Sequence, residues 1–420
     1  MLLCSTEELT PGVIVGASLR HPRRPELELL APGARLDARR IAALARLGIE
    51  QVWIHHDATE GLDASVAENM GRAQQAVFDQ LRRVFSTSSM TTLSSAQVNA
   101  CQRVVLDLIC DLVSAKPYAG LAARLQSTAH PLFEHCASVA YLSILAGLEL
   151  APYLIRERPR LDAAQATDLT GLGLGAMLHD IGKLALPDDE VADIHEAHDP
   201  QREDLPEGYR DHTIVGRQML LATRAPASAR QTVLMHHQRS DGSGWPTPGR
   251  LNLLRWDVIA GPRIHVFSRI VAAANVLDNL LSDARGARRP PVAALADFAS
   301  PRFDGWFDPV VRRTLLRIVP PFAVASRVEL SDARAAVVIA PNRDEPCRPL
   351  VRLLEEPRPD TEGPTMIDLS RTPSLRIVRS AGRDVSDFRY DLPAPTAPAE
   401  PEPAGQPCGP GPIGRAGGRL

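Results

Sequence analysis

Five histidines and an aspartate, His135, His179, Asp180, His212, His236 and His237, stand in order in the strings HPLFEHCASVAYLSILAG, MLHDIGKLAL, RDHTIVGRQML and HHQRSDGSGWP. Imidazole and carboxylate together suit first-row divalent ions such as Fe, Mn or Zn. On a helix, neighbours such as His179 and Asp180 project about 100° apart, so both reach an ion only at its inner end. The carboxylate is then free to bridge two ions. Lys183 follows His179 by four residues and Asp180 by three, which places it on the same face, where a phosphate would sit. The pair His236 and His237 would serve a second ion. Two ions are the physical device for in-line attack on a phosphodiester, since they acidify water and neutralise phosphoryl charge. A lone HD dipeptide carries little weight, and a single histidine is more often a satisfied polar residue than a ligand. Five in order, with HDxGK and HHxxxDGxGxP both intact, carry far more.

Helices must position these residues. From about Ala64 to Val324 the chain shows long apolar periodicity and few β-branched runs, and SSAQVNACQRVVLDLICDLV opens on Ser94 and Ser95 with i, i+3, i+4 spacing. Prolines at 152, 187, 226 and 246 punctuate the later helices. Before this region, GVIVGASL, ELELLAPGARL, a helix-like DARRIAALARLGI and a strand-like QVWIHH read as a small α+β module. His55 and His56 close it as surface residues. After the helices, FAVASRVELSDARAAVVIAPN alternates apolar and polar around a turn at SDAR, followed by PCRPLVRLL. This is a small β module, closed by IDLS and SLRIVRS. PAPTAPAEPEPAGQPCGPGPIGRAGGRL then has almost nothing to bury and reads as a disordered tail. The expected fold class is mainly α, divided into an α+β module at 1–63, a helical phosphohydrolase domain at 64–321, a β module at 322–385 and a Pro/Gly-rich tail at 386–420.

Composition narrows the function classes. The 420 residues have a net charge of −3, so no basic field invites nucleic acid. Cys4, Cys101, Cys110, Cys136, Cys347 and Cys408 have neither CxxC spacing nor the density of a disulfide scaffold, which fits a reducing cytosol. The start, MLLCSTEELTPG, lacks the positive segment of a signal peptide. The apolar stretch from Ala137 to Ile155 contains Glu149 and Pro152 and follows His135, so it reads as a buried core helix rather than a membrane span. The expected setting is the cytoplasm, with no membrane partner.

MLHDIGKL followed by HHQRSDGSGWP resembles the HD-GYP family, the HD phosphohydrolases that hydrolyse cyclic di-GMP, over about residues 120–320. The resemblance implies a helical HD-GYP-type bundle with two divalent metal ions held by His135, His179, Asp180, His212, His236 and His237. Asp180 and Lys183 are the implied catalytic residues, and Lys183 contacts the scissile phosphate. Gly242, Gly244, Trp245 and Pro246 match the substrate-binding segment for which the family is named. The chain departs from the pattern at three places. Trp245 stands at the tyrosine position and Gln238 turns HHE into HHQ. Asn275 stands in RIVAAAN where the family has a metal-binding aspartate, and a neutral ligand neither offsets ion charge nor acidifies bound water as strongly. No acid in the residues before His135 is placed to supply the extra ligand of three-metal members, so at most two ions are expected.

The resemblance implies hydrolysis of cyclic di-GMP to linear pGpG or GMP in bacterial second-messenger signalling, with other signalling proteins such as diguanylate cyclases as further partners. A second reading, favoured by Asn275, is a degenerate domain that binds nucleotide or protein without turnover. A third is an HD hydrolase of another nucleotide, such as an alarmone or a deoxynucleotide, against which the intact DGSGWP loop argues. His195 and His198 read as residues of a surface loop, and RLNLLRWDVIAG as an insertion at the pocket rim.

Overall fold

The computed structural model describes residues 1–21, 24–59, 75–84, 92–114, 131–186, 207–247, 249, 259–282, 288–354 and 365–394. His195, His198, most of the RLNLLRWDVIAG segment and the chain from 395 onward lie outside them.

The chain opens on a strand that its sequence did not announce. β1 (Leu2–Ser5) pairs antiparallel with β4 (Gln51–Ile54), Leu2 opposite Ile54, and all four of its residues are buried. Between them lie a bulged hairpin, β2 (Leu19–His21) and β3 (Arg24–Leu30), and the helix α1 (Ala38–Arg46). The Asp37 side chain caps α1 by accepting from the Arg40 amide at 2.7 Å.

The helical body follows. α2 (Ser95–Ser114) begins on a reciprocal cap, with Ser94 and Gln97 each accepting from the other's backbone amide. Its buried positions Val98, Cys101, Val105, Leu108 and Leu112 keep the helical period and face the core. α3 (Pro131–Glu149) is long and apolar enough to cross a membrane, but Cys136 to Ile144 are buried without interruption inside the body. That central helix packs on α5 (Thr170–Met177) and α9 (Val266–Leu280), and α5 packs in turn on α8 (Ala227–Met235). α4 (Ala151–Glu157), the one-turn α6 (Glu207–Arg210), α7 (His212–Leu221), α10 (Pro291–Ala299) and α11 (Pro309–Ile318) complete the body.

One buried cation ties the body together. The Arg269 guanidinium on α9 pairs with Glu157 of α4 and with Asp308, the residue that caps α11. It also donates to the Tyr153 hydroxyl at 2.8 Å and the Ile264 carbonyl at 3.0 Å. A charge this deep is tolerated because each of its three nitrogens meets an acceptor.

The C-terminal module is a six-stranded antiparallel sheet ordered β10-β9-β5-β6-β7-β8, from β5 (Arg327–Leu330), β6 (Ala335–Ala340), β7 (Leu350–Leu353), β8 (Met366–Asp368), β9 (Ile377–Ser380) and β10 (Arg383–Asp384). The N-terminal module packs against it. The Leu3 amide donates to the Ala325 carbonyl at 2.8 Å, and Val337 of β6 joins the apolar core of the N-terminal module. The stretch expected to open the tail instead lies on the body as far as it is described. Tyr390 is buried there, and its hydroxyl donates to the Leu316 carbonyl at 3.0 Å.

Candidate metal centre

The N-terminal parts of α3 (His135) and α7 (His212) and the residues just past α5 and α8 deliver the histidine series, and a tight turn delivers Lys183. α5 ends at Met177, and His179 and Asp180 follow it rather than extending it. Lys183 lies in a 3-10 turn, Ile181–Ala185, where a continuous helix was expected. The cause is close packing. A Cβ on Gly182 would sit 1.9 Å from the His212 carbonyl oxygen, so the turn lies directly on the start of α7 only because residue 182 lacks one. Lys183 still returns to the expected partner, with Nζ 2.6 Å from Asp180 Oδ2.

Protein partners orient the imidazoles. His179, His212 and His236 each donate Nδ1–H to the backbone carbonyl three residues earlier, Ala176, Tyr209 and Val233, at 2.7, 2.6 and 2.8 Å. Each Nε2 is thereby left facing inward. His135 achieves the same end differently, with Nδ1 2.8 Å from Asp278 Oδ2 on α9. A carboxylate behind an imidazole fixes its tautomer and raises the basicity of the opposite nitrogen.

Asp180 is the centre of the cluster. Its Oδ2 lies 3.3 Å from His179 Nε2 and 3.7 Å from His135 Nε2, while its Oδ1 lies 3.2 Å from His212 Nε2 and 3.5 Å from His236 Nε2. Among the described residues, two groups can each hold an ion, His135 with His179 and Asp180, and His212 with His236, His237 and Asp180, their ligand atoms within 4.8 Å of one another. The Nε2 of His237 is buried with no hydrogen-bond partner, as a nitrogen awaiting an ion would be. The donor set therefore fits a pair of divalent ions sharing one carboxylate.

Electrostatics agree with this at the His212, His236 and His237 group. Burial holds His236 down to about 3 and His212 below the usual imidazole range, and burial with the neighbouring histidines holds His237 well below it. These three stay neutral, which is the ligating form. Burial opposes charge on His179 too, but the Asp180 carboxylate outweighs it and lifts that imidazole to about 10. Burial likewise opposes charge on Asp180, yet His179 and Lys183 hold it well below the usual carboxylate range, so it remains an anion.

The name-motif loop sits beside this cluster. Trp245 stacks on His237, ring centroids 4.2 Å apart and 18° between planes, with the Arg210 guanidinium 5.5 Å from the indole. A Cβ on Gly244 would fall 2.2 Å from the His237 carbonyl oxygen, so only glycine lets the loop fold back this closely. Gly242 takes a φ of +83° at the turn, and the Pro246 carbonyl accepts from Gln238 Nε2 at 2.7 Å. That bond accounts for glutamine in place of glutamate, because an ionised carboxylate has no donor to offer. The outer side of the loop is fixed to α11's approach, where the Asp241 amide donates to the Gly305 carbonyl and the Ser240 amide to that of Trp306, both at 2.8 Å.

Asn275 is buried on α9, one turn before Asp278, and accepts from Asn279 Nδ2 at 3.4 Å. Glu134, the acid that directly precedes His135, lies in the field of Arg288. Two neighbours of the cluster escaped the sequence reading. Asp278 carried a faint signal in its i+3 spacing from Asn275, whereas Tyr209, buried beside Lys183 and His212, carried none.

The chain resembles known HD-domain proteins. Residues 150–311 match the HD domain family, and residues 327–384 match the family described as the KOW domain associated with HD domain. The chain is 28% identical over 324 residues to cyclic di-GMP phosphodiesterase PA4108 of Pseudomonas aeruginosa, covering 76% of this chain and 70% of that protein. It is 33% identical over 111 residues to the cyclic di-GMP phosphodiesterase response regulator RpfG of Xanthomonas campestris pv. campestris, 26% of each chain. Among solved structures it matches Bd1817, an HDG"Y"P protein from Bdellovibrio bacteriovorus, with a TM-score of 0.42 at 16% identity, over 76% of this chain and 98% of that one.

Proposed function

The chain belongs to the HD-GYP family of HD-domain proteins, and on that premise we propose that it is a metal-dependent phosphodiesterase hydrolysing cyclic di-GMP to linear pGpG or GMP, acting in the cytoplasm. The observation that carries the reading is the division of Asp180, one carboxylate oxygen toward His135 and His179 and the other toward His212 and His236. This is the arrangement a shared ligand of two ions requires. The names of the two similar bacterial proteins support the substrate class.

In this reading His135, His179, Asp180, His212, His236 and His237 hold two divalent ions, with Asn275 as a further neutral oxygen on α9. Bound divalent ions supply the acidification of water and the neutralisation of phosphoryl charge. The protein's own residues do the rest. Asp180 carries the negative charge that retains the ions, and Asp278 holds His135 in the tautomer that faces them. Lys183 keeps its ammonium, because the Asp180 carboxylate overrides the burial that opposes it, and presents that charge to the scissile phosphate. Gly242 and Gly244 bring the loop close, and Trp245 and Pro246 give the substrate an apolar wall. The domain division at 1–63, 64–321, 322–385 and 386–420 goes with this reading, the helical part carrying the chemistry.

A second reading rests on Asn275. With a neutral amide where a carboxylate belongs, the centre would bind metal and nucleotide but turn over little. Product analysis decides between them. Protein supplied with Mn²⁺ or Fe²⁺ should convert cyclic di-GMP to pGpG or GMP, and Lys183→Ala should lower the rate about 100-fold while keeping its metal, since a charge aimed at the transition state is lost. Tight binding of the dinucleotide without any product would establish the second reading instead.

A further inference from the structure

Tyr209 lies against two parts of the site at once. It comes from the one-turn α6, which sits immediately before α7, and only 6% of its surface is exposed. Its backbone carbonyl accepts the Nδ1–H of His212 at 2.6 Å, and its ring tilts against that imidazole with centroids 5.1 Å apart. On its other side the ring centroid is 5.2 Å from Lys183 Nζ, which sets the phenol beside that ammonium. A buried tyrosine hydroxyl ordinarily needs such a partner.

Lys183 is long and flexible, and an unguided ammonium 2.6 Å from Asp180 would stay on that carboxylate. A second holder on the far side of the chain changes this. The ring attracts the cation, and a phenol oxygen can accept one of its three donors, which would give the ammonium a place that does not depend on Asp180. The side chain at position 245 of the name-motif loop cannot supply this oxygen, since it is tryptophan and its one side-chain polar atom, Nε1, is a donor.

We propose that Tyr209 is the positioning residue for Lys183, its phenol holding the ammonium where a phosphate oxygen arrives once Asp180 is engaged elsewhere. The inference rests on the phosphate role assigned to Lys183 above, and it concerns anion binding before it concerns turnover.

The test is a double-mutant cycle read by binding of inorganic phosphate, measured calorimetrically on the full chain loaded with Mn²⁺. Four proteins are compared: wild type, Tyr209→Phe, Lys183→Ala and the double variant. Phenylalanine keeps the ring on His212 and removes only the hydroxyl, so metal content should be unchanged. Tyr209→Phe is expected to weaken phosphate binding about tenfold when Lys183 is present, the scale of one hydrogen bond to a charged group. In the Lys183→Ala background it should change nothing. Equal losses in both backgrounds, or no loss in either, would overturn the proposal. Because the readout is phosphate affinity, a failure to hydrolyse cyclic di-GMP would count against the enzyme reading and leave this test standing.

Discussion

At the scale of single residues the account turns on charge. The cluster gathers five imidazoles around one carboxylate, Asp180, which is a modest anionic complement for two divalent ions. Asn275 has nearly the shape of aspartate and is buried on α9 near Asp278, so exchanging the two should alter charge more than packing. Contacts of this kind commonly change affinity or activity at metal sites by about 10- to 100-fold. Asn275→Asp is therefore expected to raise metal affinity and any hydrolysis by about tenfold, read by metal titration and by product formation. If both quantities stay at their wild-type values while wild type already turns over briskly, the amide is no defect.

At the same scale, the histidine series was legible because each ligand sits in a short string of its own. Asp278 was not, since its partner His135 lies 143 residues away and only the packing of α3 on α9 brings them together. Tyr209 was illegible for a similar reason. A tyrosine three residues before a histidine has no chemical spacing to recommend it, and its contact with Lys183 exists only because the 3-10 turn rests on α7.

At the scale of elements, close approach decides where the ligands stand. The turn carrying Lys183 was read as helix because HDIGKLAL has helical spacing, and its apolar pattern gives no hint of the α7 backbone against it. Gly182 is the residue that allows the contact. Gly182→Ala would drive a Cβ into the His212 carbonyl, the oxygen 1.9 Å away, and neither backbone can yield cheaply. A cost of about 3 kcal/mol is expected, the upper end of overpacking penalties. The thermal midpoint should fall by several degrees, and phosphate affinity should fall with it as Lys183 is displaced. An unchanged midpoint would mean that the turn and α7 are not in contact. The helices themselves were well signalled by period and caps, as Asp37 and the Ser94 and Gln97 pair show. β1 was not, because a buried four-residue strand at a chain start lacks both alternation and flanking turns.

At the scale of the molecule, buried neutral histidines make the fold sensitive to acid. His265 caps α9, its Nδ1 accepting from the Phe267 amide at 3.2 Å, and burial together with Arg158 and Arg269 holds its imidazole down to about 4. A histidine unfolded in water titrates near 6.5, so between about pH 6.5 and 4 the unfolded chain binds a proton that the folded one refuses. The stability it contributes is complete above that window and is lost as pH falls through it. His265→Asn keeps a capping oxygen and cannot titrate. Its thermal midpoint should decline less steeply than wild type between pH 6.5 and 4, both measured without metal. Parallel declines would remove His265 from the acid response. The packing of the N-terminal module on the C-terminal one, and the docking of Tyr390 on the body, were invisible in a sequence that reads the modules separately and residues from 386 on as tail.

The central claim is that Asp180 joins two ions into one hydrolytic centre, and a paired measurement of bound metal and product tests it most directly. Wild type and Asp180→Ala, each reconstituted with Mn²⁺ and desalted, are analysed for metal per chain and then for pGpG and GMP formed from cyclic di-GMP. The account predicts about two ions per chain and product in wild type, with both metal and product lost together in Asp180→Ala. Asp180→Ala retaining the full metal content, or a metal-loaded wild type that leaves cyclic di-GMP intact, would contradict it.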